Sequence, residues 1–222
     1  MVLASALLWM QYVDCKDRLR HEPRARLLTA FFLGIVAWLA ALLFFILLEK
    51  AGVAGVESGG RAWKALYCFG LIGPVEEGAK LSVACLFVFR WREFDEPIDG
   101  FVYAAAISLG FASVENFYNV PTLPRWEQLA RAATVPLTHS LFAAVWGFGI
   151  AHARMCVAPG GRRMAWYVGA SLGAMLLHGL YDFLLFACHA AWASSGLILV
   201  LWCLVIRQAR RCLARKEPAA KG

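Results

Sequence analysis

Apolar residues run in long, nearly unbroken blocks, at about 2–13, 27–49, 64–89, 98–119, 129–153, 164–189 and 194–212. Polar positions gather in short stretches between them. A transmembrane helix needs about 20 consecutive apolar residues, and all but the first block are long enough. None of the blocks alternates with period two, so the pattern predicts helices rather than the strands of a membrane barrel. The first block is short for a full crossing. It lacks the basic leader and small-residue cleavage site of a secretory signal, and reads as a tilted helix or as part of a longer one. The predicted fold is all-α: a polytopic transmembrane helical bundle of about seven spans, with residues 1–222 forming a single integral membrane domain.

Composition agrees. Of the 222 residues 61% are hydrophobic and 17% charged, against about half and about a quarter in soluble domains. Small residues stud the blocks, for example Gly70 and Gly73, Gly100 through Ala104 to Ser108, Gly147 and Gly149, and Gly169 and Gly173. They predict close helix packing and carry no chemistry of their own. The seven cysteines, Cys15, Cys68, Cys85, Cys156, Cys188, Cys203 and Cys212, include no CxxC pair and read as small apolar fillers. No internal repeat of the kind that builds inverted-repeat transporters stands out.

The net charge of +7 matters less than its distribution. Segments 14–26, 90–97, 154–163 and the tail beyond 206 hold sixteen of the basic residues. Lys50, Arg61, Lys64, Arg125 and Arg131 lie at the opposite ends, and Lys80 lies inside a block. The positive-inside rule then puts the N-terminus outside and the C-terminus in the cytoplasm. The predicted location is the inner or plasma membrane, with several passes. The basic tail reads as an orientation signal in contact with the lipid bilayer, so no nucleic-acid partner is expected.

Against this apolar background a few ionisable groups stand out. Glu76 and Glu77 are adjacent in the third block, with Lys80 one turn on. Charge at that depth costs at least about 2.5–3.5 kcal/mol per residue. Gly73-Pro74 precedes the pair, so a proline kink is expected there, with both glutamates at the start of the next helical segment, where the helix dipole favours negative charge. A buried ion pair that only fixed packing would need one carboxylate, and here there are two. Glu115 ends the fourth block, His139-Ser140 lies in the fifth, and His178 and Asp182 lie i, i+4 on the sixth, where the carboxylate can orient the imidazole.

Depth adds to the pattern. At ~1.5 Å per residue, Glu76 lies roughly 18 Å from Lys64 and His178 roughly 18 Å from Ala190, while His139, Asp182 and Glu115 lie roughly 9–12 Å in from Arg131, Ala190 and Pro121. Four helices thus bring polar groups to overlapping depths, between the predicted outer surface and just past the midplane. Carboxylates and imidazoles in a partly hydrated pocket can activate water for amide hydrolysis. Two histidines and a carboxylate can also hold a divalent metal with one position open. The HExxH signature of soluble zinc proteases is absent. A proton-coupled transporter, or a non-catalytic membrane binding protein, would use similar groups.

The motifs Glu76-Glu77-x-x-Lys80, Phe111-x-x-x-Glu115, His139 and His178-x-x-x-Asp182, with Tyr12-x-Asp14-x-x-Asp17-Arg18 and Glu22-Pro23 ahead of them, resemble the PrsW family of intramembrane proteases. More distantly they resemble the type II CAAX prenyl endopeptidases and bacteriocin-processing proteins. The likeness covers residues from about 12 to 190. In the prenyl endopeptidases the second motif ends in histidine and the third in asparagine, where this chain has Glu115 and Asp182. The resemblance implies a peptidase that cleaves a membrane-tethered protein, such as an anti-sigma factor, near the extracytoplasmic face. The expected catalytic set is Glu76 or Glu77 as general base, Lys80 tuning the glutamates, and His178 supported by Asp182. Glu115, His139 and His178 are the expected ligands of a divalent metal, zinc by type, if the mechanism uses one.

Overall fold

The computed structural model describes residues 22–119 and 124–214. The predicted first span lies outside these residues, as do Tyr12, Asp14, Asp17 and Arg18 of the N-terminal motif and Arg215, Lys216 and Lys221 of the tail. Seven α-helices are present among the described residues, and no strand. They are α1 (Arg24–Lys50), α2 (Arg61–Tyr67), α3 (Gly73–Leu86), α4 (Pro97–Asn119), α5 (Arg125–Cys156), α6 (Gly161–Phe186) and α7 (Ala191–Ala214). Five of these, α1, α4, α5, α6 and α7, are long and apolar enough to cross a membrane.

The predicted span over 64–89 takes a composite form. α2 runs into a widened turn, Cys68–Ile72, with i→i+5 geometry, and that turn runs directly into α3. Pro74 stands at the start of α3. It has no N–H to donate, and its ring crowds the carbonyl four residues back, so the backbone widens just before it. The expected break therefore falls where the proline requires it. Glu76 lies in the first turn of α3 and Glu77 begins the next.

α4 is the central helix, buried along most of its length, with α5 beside it. Glycines set both contacts. A Cβ at Gly110 would lie 1.8 Å from the Phe31 carbonyl oxygen, and one at Gly34 1.8 Å from that of Ile107, so α1 and α4 touch backbone to backbone. Gly100 and Gly147 do the same for α4 and α5. Such approaches admit only small residues. α1 turns Leu28, Phe32, Val36, Leu39, Leu43 and Leu47 outward, all well exposed, as a lipid-facing stripe must be.

Polar ties sit at the two ends. Arg26 pairs with Glu93 at 3.1 Å, and the Tyr103 hydroxyl donates to the buried Glu22 carboxylate. Asp99 Oδ2 accepts from the Asp95 amide at 2.8 Å, capping the start of α4. At the other end Lys64 Nζ donates to the Phe186 carbonyl at 2.9 Å, fixing α2 against the last turn of α6.

Candidate active site

The close approach of α3 to α6 builds one wall of the site. A Cβ on Gly73 would stand 2.2 Å from the Met175 carbonyl oxygen, so only glycine lets the two helices come near enough for the next turns to face each other. One turn on, Glu77 is fully buried and all its acceptors are taken. Its Oε1 lies 2.7 Å from Lys80 Nζ and 3.0 Å from His178 Nδ1, and its Oε2 accepts from Trp146 Nε1 at 3.0 Å. Bonded to a carboxylate, Nδ1 of His178 carries the ring hydrogen, which leaves Nε2 to face Glu76 and Asp182.

Lys80 is also fully buried. Besides Glu77 it reaches His139 Nδ1 at 2.7 Å, and its ammonium lies 4.1 Å from the centre of the Phe111 ring. An ammonium donates only, so His139 Nδ1 accepts and the ring hydrogen is on Nε2. That nitrogen stands 2.8 Å from Glu115 Oε2. Glu115 Oε1 accepts from Arg131 Nη2 at 3.1 Å. Each histidine thus has a carboxylate beside one ring nitrogen: Glu77 is hydrogen-bonded to His178 Nδ1, and Glu115 stands next to His139 Nε2.

Glu76 differs from its neighbour. Its Oε2 is buried with no hydrogen-bond partner. Around it stand His178 Nε2 at 3.8 Å, His139 Nδ1 at 3.9 Å and Lys80 Nζ at 3.9 Å. It lines a cavity of about 530 Å³ together with Glu115, Arg131, His139, His178 and Asp182. The cavity extends to Phe45, Asn119 and Phe186, where α1, α4 and α6 end and α5 begins. In the other direction aromatic rings close it. Phe142 stacks on His178 with centroids 4.8 Å apart, Phe111 packs on His139 at 5.5 Å, and Trp146 lies behind Glu77. All three are essentially inaccessible.

All seven groups singled out in the sequence therefore meet in one cluster, but their contacts differ from expectation in two respects. The hydrogen-bonded partner of His178 is Glu77; Asp182 Oδ2 stands 3.5 Å from Nε2, beyond hydrogen-bonding contact. Among possible metal-holding groups, Glu76, His139 and His178 each place one donor atom within 4.8 Å of the others. Glu115 faces the opposite nitrogen of His139. Two imidazoles and an otherwise unpartnered carboxylate oxygen fit a divalent ion of the zinc type. An ion there and the Lys80 ammonium would compete for the one lone pair of His139 Nδ1. Sequence reasoning missed Trp146, because an indole in an apolar block reads as filler; its signal was position i+7 from His139, on the same helix face. Arg131 entered only as an interfacial charge.

The profile of the "PrsW family intramembrane metalloprotease" matches residues 22–207. The chain is 30% identical over 220 residues to "Protease PrsW" of Geobacillus kaustophilus (strain HTA426), covering 98% of this chain and 93% of that protein. It is 30% identical over 211 residues to "Protease PrsW" of Bacillus subtilis (strain 168), covering 94% and 92%, and 30% identical over 203 residues to that of Clostridioides difficile (strain 630), covering 88% and 83%. No solved structure matches.

Proposed function

The chain belongs to the PrsW family of intramembrane metalloproteases, and from that premise we propose that it cleaves a membrane-tethered protein near the extracytoplasmic side, with Glu76 as the reactive carboxylate. It is a peptidase and a multi-pass membrane protein. The observation that carries the assignment is the buried, unpartnered Glu76 Oε2, ringed by His178 Nε2, His139 Nδ1 and Lys80 Nζ at 3.8–3.9 Å. A water held among these groups gives its proton to Glu76 as it attacks the peptide carbonyl. In a metal-loaded form Glu76, His139 and His178 would instead be the residues that hold a divalent ion, zinc by donor type, which would supply Lewis acidity toward the carbonyl and the water.

The other groups position these three. Glu77 fixes the tautomer of His178, Lys80 holds Glu77 and His139, and Glu115 sets the far side of His139. Asp182 lines the cavity beside His178 Nε2, placed to pass a proton to the leaving amine. The cavity opens at the end that the basic-residue count makes extracytoplasmic, and the same count supports an outside N-terminus and a cytoplasmic C-terminus in an inner or plasma membrane. A substrate with a single span and an extracytoplasmic juxtamembrane segment, of the anti-sigma-factor type, could reach the cavity from that end. The aromatic floor of Phe111, Phe142 and Trp146 weighs against a proton path running through the bundle.

Two measurements test this reading. Detergent-purified protein is analysed for bound metal beside a His139→Ala, His178→Ala double variant, and both are assayed on a membrane-tethered reporter. Near-stoichiometric divalent metal in the wild type, lost in the double variant together with cleavage, is the expected result. Cleavage at the wild-type rate by Glu76→Gln would remove that residue from the reaction.

A further inference from the structure

A second, larger cavity of about 830 Å³ lies between α4, α5, α6 and α7. It is an open groove with two contrasting ends. One is walled by apolar side chains such as Ala144, Leu177 and Leu201. At the other stand Arg162, from the start of α6, and Arg207 and Arg211, one turn apart near the end of α7. No aspartate or glutamate among the described residues lines the groove. None of the three guanidinium groups has an ion-pair partner among the described residues. From Arg211 to Leu201 the helix rises roughly 15 Å, half of the ~30 Å hydrocarbon core. The arginines lie at the end that the charge pattern makes cytoplasmic, opposite the end where the active-site cavity opens.

We infer that this groove is a binding site for one anionic phospholipid of the cytoplasmic leaflet. The phosphate is held by Arg162, Arg207 and Arg211, and an acyl chain lies along the apolar wall toward the bundle centre. The occupant follows from charge complementarity. A bare apolar groove would accept any lipid tail or helix, but three cations with no ion-pair partner among the described residues, at headgroup depth, select a negatively charged headgroup on an apolar chain. Arginine meets phosphate with two parallel hydrogen bonds, which adds direction to charge. Each basic residue near an anionic surface contributes a factor of about five, so three together imply a preference of about a hundredfold over a zwitterionic lipid. The inference needs only the membrane setting, and holds whether or not the proposed catalytic roles do.

The test is native mass spectrometry of the detergent-purified chain titrated with phosphatidylglycerol, with phosphatidylcholine of the same chains, and with soluble glycerol 3-phosphate. The expected result is one phosphatidylglycerol bound per chain, about a hundredfold more tightly than phosphatidylcholine, and not displaced by glycerol 3-phosphate. An Arg162→Gln, Arg207→Gln, Arg211→Gln variant should bind both lipids alike. An Arg24→Gln, Arg90→Gln, Arg92→Gln control should keep the preference. Gly169→Phe tests the chain-binding half separately. Gly169 lines the groove, and a Cβ there meets nothing within 4 Å, so the ring fills open space on an unstrained helix and should weaken both lipids about tenfold or more. Any of four results would overturn the inference: equal binding of the two lipids by wild type, a preference that survives the triple arginine change, full competition by glycerol 3-phosphate, or unchanged binding in Gly169→Phe. A mass shift to a dimer that excludes lipid would hand the groove to a second copy of the chain.

Discussion

Glu76 and Glu77 are chemically identical neighbours, yet replacing each by glutamine should give opposite signatures. Glu77 accepts from Lys80 at 2.7 Å, from His178 at 3.0 Å and from Trp146 at 3.0 Å, with no solvent to replace any of them. A glutamine keeps the shape but removes the charge, and its NH2 must face at least one donor. Lys80 is left buried, its remaining carboxylate neighbour 3.9 Å away. Removing one partner of a buried ion pair costs about 3–5 kcal/mol, which at about 2–4 °C per kcal/mol for a chain of this size lowers the melting midpoint by about 6–20 °C. Glu76 Oε2 has no hydrogen bond to lose, and its loss removes one negative charge from a cluster that also holds Glu77, Glu115 and Asp182. With metal removed from both proteins, Glu76→Gln should therefore melt at or above the wild-type midpoint, while turnover under assay conditions falls by about 10²–10⁴. Glu77→Gln should lose stability and about 10–100-fold in turnover, through the unset His178. Thermal unfolding in detergent, followed by intrinsic tryptophan fluorescence, is read beside initial rates on a tethered reporter. If Glu76→Gln melts as low as Glu77→Gln, or Glu77→Gln melts at the wild-type midpoint, the division of roles between the two carboxylates is wrong.

Trp146→Phe keeps an aromatic ring behind the site but removes the indole donor to Glu77 Oε2; a hydrogen bond to a charged group is worth about 1.5–3 kcal/mol, so the midpoint should fall by several degrees and turnover should drop with an unchanged KM. Lys80→Met frees His139 Nδ1 and removes a positive charge 3.9 Å from Glu76 Oε2; competition titration with a zinc indicator should show tighter metal retention even though the fold is weakened by about 3–5 kcal/mol. Gly110→Ala places a methyl 1.8 Å from the Phe31 carbonyl oxygen; forcing α1 from α4 should cost about 1–3 kcal/mol or more by overpacking, seen as a lower midpoint with the metal content per folded molecule unchanged.

Much of the site was legible because charge is expensive inside a bilayer. Glu76, Glu77, Lys80, Glu115, His139, His178 and Asp182 stand out against apolar neighbours, and counting helical rise from the block edges placed five of them, Glu76, Glu115, His139, His178 and Asp182, at overlapping depths, where the structure brings all seven together. What the count could not give was pairing. The i, i+4 spacing of His178 and Asp182 suggested a local partner, but the carboxylate that accepts from His178 Nδ1 is Glu77, 101 residues away in sequence. Trp146, 69 residues from Glu77, was hidden for the same reason. The composite helix was half legible: Gly73-Pro74 foretold a break, but not that the backbone would widen over Cys68–Ile72 to absorb it.

The sequence by itself determined that the chain lives in a membrane as helices, where five of those helices lie to within about four residues at each end, and which residues are costly to bury in a bilayer. Those properties follow from transfer free energies and helical rise, both local. Which face of each helix turns inward was decided only by the tertiary structure. α1 is apolar on every side, so its lipid stripe of Leu28, Phe32 and Val36 differs from its buried Ala30, Gly34 and Ala37 only because Gly34 and Gly110 let α4 come close. The contrast between Glu76 and Glu77 arises in the same way. Two adjacent side chains on a helix point about 100° apart, so the packing of α5 and α6 satisfies one carboxylate completely and leaves the other facing the cavity.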